Sequence, residues 1–192
     1  MRATPSKADL RATALKARDA ISAKQRAAAA EAISARGLPV ELQPGAIISG
    51  YAPIKSEIDP TPLMLKCAAQ GARLALPAIT GRRRSLVFRA WSPGDRLMLG
   101  PLGIPEPSPA AAEVLPDLML VPLAAFDRLG HRIGYGAGHY DYTFAHLRKT
   151  NAVIGVGLAF AAQEIEAIPA LSHDVPLDYV LTETKLFDFR GS

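Results

Sequence analysis

Short apolar runs alternate along this chain with longer segments that carry helical spacing or helix start and stop residues. The segments with a helical pattern are residues 6–36, 60–70 and about 139–149. The apolar runs of strand length are residues 46–51, 73–76, 86–91, 118–121, 152–157 and 179–182. We expect the last of these runs to be the final strand. The alternation predicts an α/β protein, a three-layer α/β/α sandwich with a mainly parallel, Rossmann-like sheet.

Ligands of such folds bind beyond the carboxyl ends of the strands, so the loops that follow strands are the first candidates for a site. These loops are residues 51–59, 77–84 and 122–140. Residues 92–116 are rich in Pro and Gly and predict an ordered loop or excursion. The composition does not shift enough to mark a second domain, so we expect residues 1–192 to form one domain.

The N-terminal segment, residues 6–36, predicts one long helix. Alanine dominates it, and Thr4 or Ser6 can cap its start. Gly37 followed by Pro39 is typical of a helix end. The basic N-terminal region, residues 1–36, is therefore expected to be largely a single helix.

The positive charge of the chain is concentrated in this N-terminal region. Residues 1–36 contain eight Lys or Arg against three Asp or Glu, whereas the remainder contains fourteen against fifteen. Lys7, Arg11 and Arg18 leave one helix face within about 40° of each other at 3.6 residues per turn. A solvated helix face is the commonest explanation, but nucleic acid, anionic lipid or a phosphorylated ligand could also bind there.

Composition excludes several classes of protein. The chain is 49% hydrophobic, which is too apolar for intrinsic disorder, and it has no run of the ~18 apolar residues that a membrane helix needs. Its one cysteine, Cys67, excludes an internal disulfide and a multi-cysteine metal site, and its apolar neighbours favour a packing role. The acidic residues of the N-terminal region argue against a transit peptide, so the predicted location is the cytoplasm.

A glycine-rich segment, residues 130–138, offers the clearest local chemistry. Its last glycines alternate at positions 134, 136 and 138, which lets backbone amides approach an anion closely, and Arg132 adds a fork of donors. The patterns G-x-G-x-x-G and G-x-x-x-x-G-K-[ST] both fail, because His139 takes the third glycine position and no Lys follows. On composition alone, a phosphate cradle and a tight structural turn remain equally open.

The complete string around these glycines is more specific than the glycines themselves. It comprises Val121-Pro122, Ala125-Phe126-Asp127, Gly130 and Arg132-Ile133-Gly134-Tyr135-Gly136-Ala137-Gly138-His139-Tyr140-Asp141. Other matching segments follow in one order, namely Lys7-x-x-x-Arg11, Tyr51-Ala52-Pro53, Glu57-Ile58-Asp59, Leu76-Pro77, Gly103-Ile104-Pro105-Glu106-Pro107, Gln163, Ile168-Pro169, His173-Asp174 and Asp178. Together they resemble the 5-formyltetrahydrofolate cyclo-ligases, also called methenyltetrahydrofolate synthetases. Leu123 and His139 depart from residues usual in that family.

The resemblance implies an ATP-dependent, magnesium-requiring enzyme that converts 5-formyltetrahydrofolate into 5,10-methenyltetrahydrofolate. It implies that ATP phosphorylates the formyl oxygen and N10 then attacks, so that positioning and electrostatics carry catalysis, with Lys7, Arg11 and Arg132 in the catalytic roles. The implied ATP-binding residues are Lys7, Arg11, Arg132, Gly134, Tyr135, Gly136, Ala137, Gly138, His139 and Tyr140. The implied substrate-binding residues are Glu57, Ala52, Tyr135 and Tyr140. The implied magnesium ligands are Asp141 and Asp174, with Asp178 as the alternative to Asp174.

Two other functions compete with this one. A dinucleotide-dependent oxidoreductase would carry its glycines directly after the first strand, whereas here they come late in the chain. A non-catalytic nucleic-acid-binding module would add aromatic residues to the basic helix, which has none. The expected partners are therefore the folate substrate and ATP, with no nucleic acid and no membrane, and the expected oligomeric state is a monomer.

Overall fold

The computed structural model describes residues 5–191, and it is built around an eight-stranded sheet. The helices are α1 Lys7–Asp19, α2 Ala23–Arg36, α3 Thr61–Ala69 and α4 His139–Leu147. The strands are β1 Ile47–Ser49, β2 Arg73–Ala78, β3 Val87–Ala90, β4 Leu97–Leu99, β5 Pro105–Pro107, β6 Glu113–Val114, β7 Leu118–Pro122, β8 Ala125–Phe126, β9 Arg132–Ile133, β10 Ile154–Leu158, β11 Tyr179–Leu181 and β12 Leu186–Asp188.

The main sheet has the order β12-β11-β10-β7-β1-β2-β3-β6. Its five central strands, from β11 to β2, are mutually parallel, whereas β12, β3 and β6 run antiparallel to their neighbours at the two edges. Strands β4 and β5 form a separate hairpin, as do β8 and β9. The mainly parallel α/β sheet predicted from the sequence is therefore confirmed.

Alternate residues of the central strands face two apolar layers. On one face, Ile48 and Leu120 pack in a cluster with Ile33 of α2 and Leu63 of α3. On the other face, Met119 and Val121 pack in a cluster with Phe144 and Leu147 of α4. Burying one such side chain contributes about 1.5 to 3 kcal/mol, so the helices are held chiefly by these layers. Helix α1 lies apart from both, with Ala14 in a smaller cluster beside β8.

The prediction of one helix over residues 6–36 was wrong, because the chain breaks between α1 and α2. Ser22 caps the second helix, accepting from the Gln25 amide at 3.3 Å, while the Gln25 side chain accepts from the Ser22 amide at 3.1 Å. This reciprocal capping box satisfies backbone donors that a continuous helix would have used internally. Ser6 caps α1 in the same way with Asp9. The alternative cap, Thr4, lies outside the described residues.

Two further predictions of local structure need correction. Residues 92–116 are not only a loop, since they contain β4, β5 and the edge strand β6. The run 179–182 is not the last strand, since β12 follows it and pairs antiparallel with β11. These strands have two or three residues each and depend on backbone pairing with partners distant in sequence, which an apolar pattern does not reveal. Within residues 5–191, no helix has the length and apolar character needed to cross a bilayer.

Candidate active site

One cavity of about 600 Å³ lies where the parallel strands β1, β2 and β7 give way to their loops. Every residue that the sequence assigned to ATP, substrate or magnesium lines this cavity. They come from α1, from the loop after β1, from residues 132–141 and from Asp174. The fold therefore brings four segments distant in sequence to one place, at the edge of the sheet where ligands of α/β proteins bind.

Helix α1 contributes two cations to the cavity wall. Lys7 and Arg11 are four residues apart and share a helix face. The Lys7 ammonium donates to the carboxylate of Asp174, and Arg11 Nε donates to the carbonyl oxygen of Gly134 at 2.6 Å. A Cβ atom built on Gly136 would lie 3.6 Å from Arg11 Nη2. The basic face of α1 is therefore packed against the glycine segment, and the interpretation as a solvated face is wrong.

Among the last three glycines of the segment, two need glycine for their backbone conformation and the third leaves open space. Gly136 and Gly138 have φ of +97° and +72°, in the region that L side chains rarely adopt. Gly138 is also the N-cap residue of α4. A Cβ atom built on Gly134 would meet nothing within 4 Å among the described residues, so that backbone is open to an approaching ligand. His139 follows, with its Nδ1 3.0 Å from the Arg84 carbonyl oxygen.

Arg132 is a cation of the cavity wall whose side chain is buried. Its Nη2 donates to Asp141 Oδ1 at 2.7 Å and its Nη1 donates to the Val175 carbonyl oxygen, with the guanidinium carbon 5.4 Å from the Phe144 ring centroid. Burial lowers the pKa of Arg132, and Asp141 opposes that effect. Two of its donors are thus engaged within the protein. A contact with phosphate would use one of the three remaining N–H donors or require an exchange of partners, and that contact stays a prediction.

The two proposed magnesium ligands are each bonded to a cation. Asp141 accepts from Arg132, and Asp174 accepts from Lys7 and from the Leu171 amide at 2.6 Å. Burial raises the pKa of Asp174, but the Leu171 amide and Lys7 outweigh it and hold the pKa below its ordinary value. Asp174 therefore carries a negative charge in the cavity at neutral pH.

Magnesium would find only part of a coordination shell here. Within residues 5–191, no group of three His, Cys, Asp or Glu side chains could hold a metal ion. Magnesium bound with a nucleotide usually takes one or two carboxylates and completes its shell with phosphates and waters, so Asp141 and Asp174 fit that requirement. Asp178 does not line the cavity. Its Oδ2 accepts from Arg148 and from the Gly155 amide, which gives it a structural role at the sheet.

Glu57 is a buried carboxyl that lines the same cavity, in the loop after β1. It is 8% exposed, and its Oε2 accepts from the Ile54 amide at 2.8 Å. Burial raises its pKa from an ordinary 4.5 to about 7, although the Ile54 amide, the Arg18 charge and the Tyr135 hydroxyl lower it. The carboxyl can therefore exist in either protonation state near neutral pH, as a group that exchanges a proton requires.

Sequence reasoning missed part of the cavity wall. The Pro- and Gly-rich segment supplies Leu102, Ile104 and Glu106, of which Glu106 is 7% exposed and accepts from the Ile79 amide at 3.0 Å. The available signal was the segment Gly103-Ile104-Pro105-Glu106-Pro107, which matches the family in the sequence but was given no role in the site. Arg18 was also misjudged: it is 1% exposed and lies behind the wall.

The packing role predicted for Cys67 agrees with its surroundings. The thiol is buried on α3, and burial raises its pKa to about 11. A thiol of that pKa is almost entirely protonated at neutral pH and is a poor nucleophile.

Comparison with known proteins decides the family. A sequence model described as the 5-formyltetrahydrofolate cyclo-ligase family matches residues 3–183. The chain belongs to the 5-formyltetrahydrofolate cyclo-ligase family. The resemblance seen in the sequence is therefore confirmed, and the alternative hypothesis of a dinucleotide-dependent oxidoreductase is wrong.

Individual members of the cyclo-ligase family are similar to this chain over most of their length. The 5-formyltetrahydrofolate cyclo-ligase of Mycolicibacterium smegmatis is 34% identical over 187 residues, which are 92% of this chain and 93% of that protein. The Escherichia coli K12 enzyme of the same name is 34% identical over 140 residues, covering 69% of this chain and 75% of its own. The NMR structure of Aquifex aeolicus 5,10-methenyltetrahydrofolate synthetase is similar with a TM-score of 0.77 at 32% identity, covering 96% of this chain and 93% of that one.

Proposed function

We propose that this chain catalyses the ATP-dependent cyclisation of 5-formyltetrahydrofolate to 5,10-methenyltetrahydrofolate, with release of ADP and phosphate. The observation that carries the proposal is the convergence of the cyclo-ligase residues in one cavity. There, a cationic group on α1 lies against a glycine segment, and a buried carboxyl of raised pKa stands in the same wall. Such a cavity suits a charged phosphate donor bound beside an uncharged ring system.

The proposed reaction proceeds in two steps. The formyl oxygen attacks the γ-phosphorus of ATP, an O–P bond forms, and ADP leaves. N10 then attacks the activated formyl carbon, N10 loses its proton, and the C–O bond breaks as phosphate departs with the electron pair. The product carries N5 and N10 on one carbon. Neither step needs a protein nucleophile, so the chain must position the two substrates and stabilise charge.

The nucleotide phosphates would bind Lys7, Arg11 and the backbone of residues 134–138. Positively charged donors and free amides at the start of α4 favour an anion at this place. Lys7 would exchange its contact with Asp174 for phosphate oxygens, whereas Arg11 keeps two terminal nitrogens beside Gly136. Arg132 would hold the floor of this subsite through its pairing with Asp141.

The folate would lie against Ala52, Glu57, Tyr135 and Tyr140. Glu57 would accept hydrogen bonds from the pterin or from N10–H, and it is the candidate acceptor of the N10 proton. A base with a pKa near the working pH both takes and releases a proton readily. The two tyrosine rings offer apolar surface for the flat heterocycle, and burial raises the pKa of both phenols, which keeps them neutral.

Magnesium, when bound with ATP, would neutralise charge on the phosphates during transfer. Asp141 and Asp174 would hold it from the protein side. A monomeric state, a location in the cytoplasm and activity without nucleic acid or membrane remain predictions from the sequence.

The proposal is tested by following the absorbance of methenyltetrahydrofolate when the protein is mixed with 5-formyltetrahydrofolate at neutral pH. We expect product only when ATP and magnesium are both present, with one ADP released for each product molecule. A blank without protein corrects for spontaneous cyclisation. Product formation at an equal rate without ATP, or no product with ATP and magnesium, would contradict the proposed function.

A further inference from the structure

We propose that Arg18 is a positioning residue for the proposed reaction, holding the folate carboxyl Glu57 and the glycine-segment residue Tyr135 in fixed places relative to α1. This inference rests on the proposed function, since Glu57 and Tyr135 are assigned there to the folate. Arg18 does not line the cavity, so it would touch neither substrate. It would act through the two side chains that do.

The contacts of Arg18 join three segments of the chain. Its Nε donates to Ser56 Oγ at 3.0 Å, next to Glu57 in sequence, and its Nη2 donates to the Tyr135 hydroxyl. The Ser56 hydroxyl in turn donates to Asp19 Oδ1, so the loop after β1 is bonded to the end of α1 twice. The guanidinium carbon also lies 5.6 Å from the Tyr135 ring centroid. One buried side chain thus fixes the loop after β1, the glycine segment and α1 together.

The cost of burying this arginine indicates that it does more than stabilise the fold. Its side chain is 1% exposed, and its Nη1 has no hydrogen-bond partner among residues 5–191. Within those residues, it forms no ion pair with a carboxylate either, because Ser56 stands between it and Asp19. A buried cation without a direct counter-charge destabilises a folded chain, and a well-packed apolar residue would avoid that cost.

The charge of Arg18 also acts on the carboxyl that it positions. It lowers the pKa of Glu57 against the effect of burial. The other groups that sense Glu57 are the phenols of Tyr51, Tyr135 and Tyr140, whose pKa values are raised by burial first and by the Glu57 charge in addition. The further cations of the same cavity wall are Lys7, Arg11, Lys55 and Arg132.

The same helix carries the residues assigned to ATP. Lys7, Arg11 and Arg18 share one face of α1, so a fixed Arg18 also sets where the two nucleotide cations stand relative to Glu57. Arg18 would therefore determine the separation between the phosphate donor and the folate. If the Arg18 contacts are lost, Glu57 and Tyr135 are no longer held in place. Because these two residues are assigned to the folate, folate use should be impaired before ATP use.

Three variants test this inference. Arg18→Lys keeps the charge but loses the planar fork, and Arg18→Met removes the charge at similar length. Ser56→Ala removes the hydroxyl that accepts from Arg18 and donates to Asp19. We expect Arg18→Lys and Ser56→Ala to raise KM for 5-formyltetrahydrofolate by about 10-fold, with KM for ATP changed by less than about 2-fold. Arg18→Met should also move the acidic limb of the kcat/KM profile up by about one pH unit, because Glu57 loses a neighbouring positive charge.

Arg148→Met is the matched control. Arg148 is paired with Asp178 and lies 4.7 Å from the Phe144 ring centroid, outside the cavity. Its loss should lower thermal stability without a change in folate KM or in the pH profile. If Arg18→Met does not fold, Arg18→Lys and Ser56→Ala decide the matter through KM. If those two leave folate KM unchanged, or raise both KM values equally, Arg18 has only a structural role.

Binding measurements separate this inference from the proposed function. Titration of 5-formyltetrahydrofolate into the parent chain and into Ser56→Ala, followed by calorimetry, requires no turnover. A parent chain that binds folate but forms no product would contradict the proposed function, while weaker binding by Ser56→Ala would still support the role of Arg18. A parent chain that turns over normally, with Ser56→Ala and Arg18→Lys unchanged in binding and KM, would overturn the role of Arg18 alone.

Discussion

Replacing Glu57 by Gln should stabilise the chain at neutral and higher pH while it impairs the reaction. Burial raises the pKa of Glu57 to about 7, so the charged form is disfavoured in the folded state. Because the folded-state pKa lies above the ordinary value of 4.5, the contribution of this group to stability is complete below that pH. It is lost as the pH rises through about 7.

The magnitude follows from the two pKa values. A rise from 4.5 to about 7 corresponds to about 3 kcal/mol between the protonation states. Glutamine has the shape of the protonated carboxyl and keeps an acceptor for the Ile54 amide. We expect Glu57→Gln to exceed the parent chain in free energy of unfolding by about 2 to 3 kcal/mol at pH 8 and by little at pH 4.5. In a chain of this length, the difference at the higher pH corresponds to roughly 4 to 12 °C in Tm.

The assay is thermal unfolding followed by circular dichroism across that pH range, with kcat/KM for 5-formyltetrahydrofolate measured on the same samples. Glu31→Gln is the control, since Glu31 is exposed on α2 and its replacement should give no pH-dependent difference. A Tm difference between Glu57→Gln and the parent that does not change with pH would refute the reasoning. So would a variant less stable than the parent at pH 8, since burial of charge would then not dominate at this position.

The other predictions concern the phosphate and metal contacts. Arg11→Ala should weaken ATP binding by about 1.5 to 3 kcal/mol, roughly 10- to 100-fold in Kd by calorimetry, and unchanged affinity in a folded variant would remove Arg11 from the nucleotide subsite. Gly136→Val should abolish turnover by straining a residue at φ +97°, whereas Gly134→Ala should keep the parent's Tm. Normal turnover by Gly136→Val would mean that the glycine segment is only a structural turn. Asp174→Asn should raise the magnesium concentration for half-maximal rate, whereas Asp178→Asn should lower Tm only, and the reverse pattern would reassign the ligand.

The sequence by itself determined the fold class and the family. Each of the six apolar runs overlaps a strand of the main sheet. Five of these strands are the parallel ones, and a parallel strand buried on both faces must be apolar along its length. The glycine segment could be recognised because three of its glycines, at positions 130, 136 and 138, have positive φ, a local requirement that other residues rarely meet. The break between α1 and α2 was also available locally, in the Ser22 to Gln25 capping box, but the helical propensity of alanine concealed it.

Only the tertiary structure decided what the charged residues do. Arg132 meets Asp141 and Val175, Lys7 meets Asp174, and Arg18 is buried beneath Tyr135, all through partners that the linear pattern does not connect. The same holds for Glu106, which the Pro- and Gly-rich segment carries into the cavity wall. Hydrophobic periodicity is a property of neighbouring residues and can be read along the chain. The partner of a charge is set by which loops converge beyond the sheet, and convergence depends on strand order and on packing between distant segments.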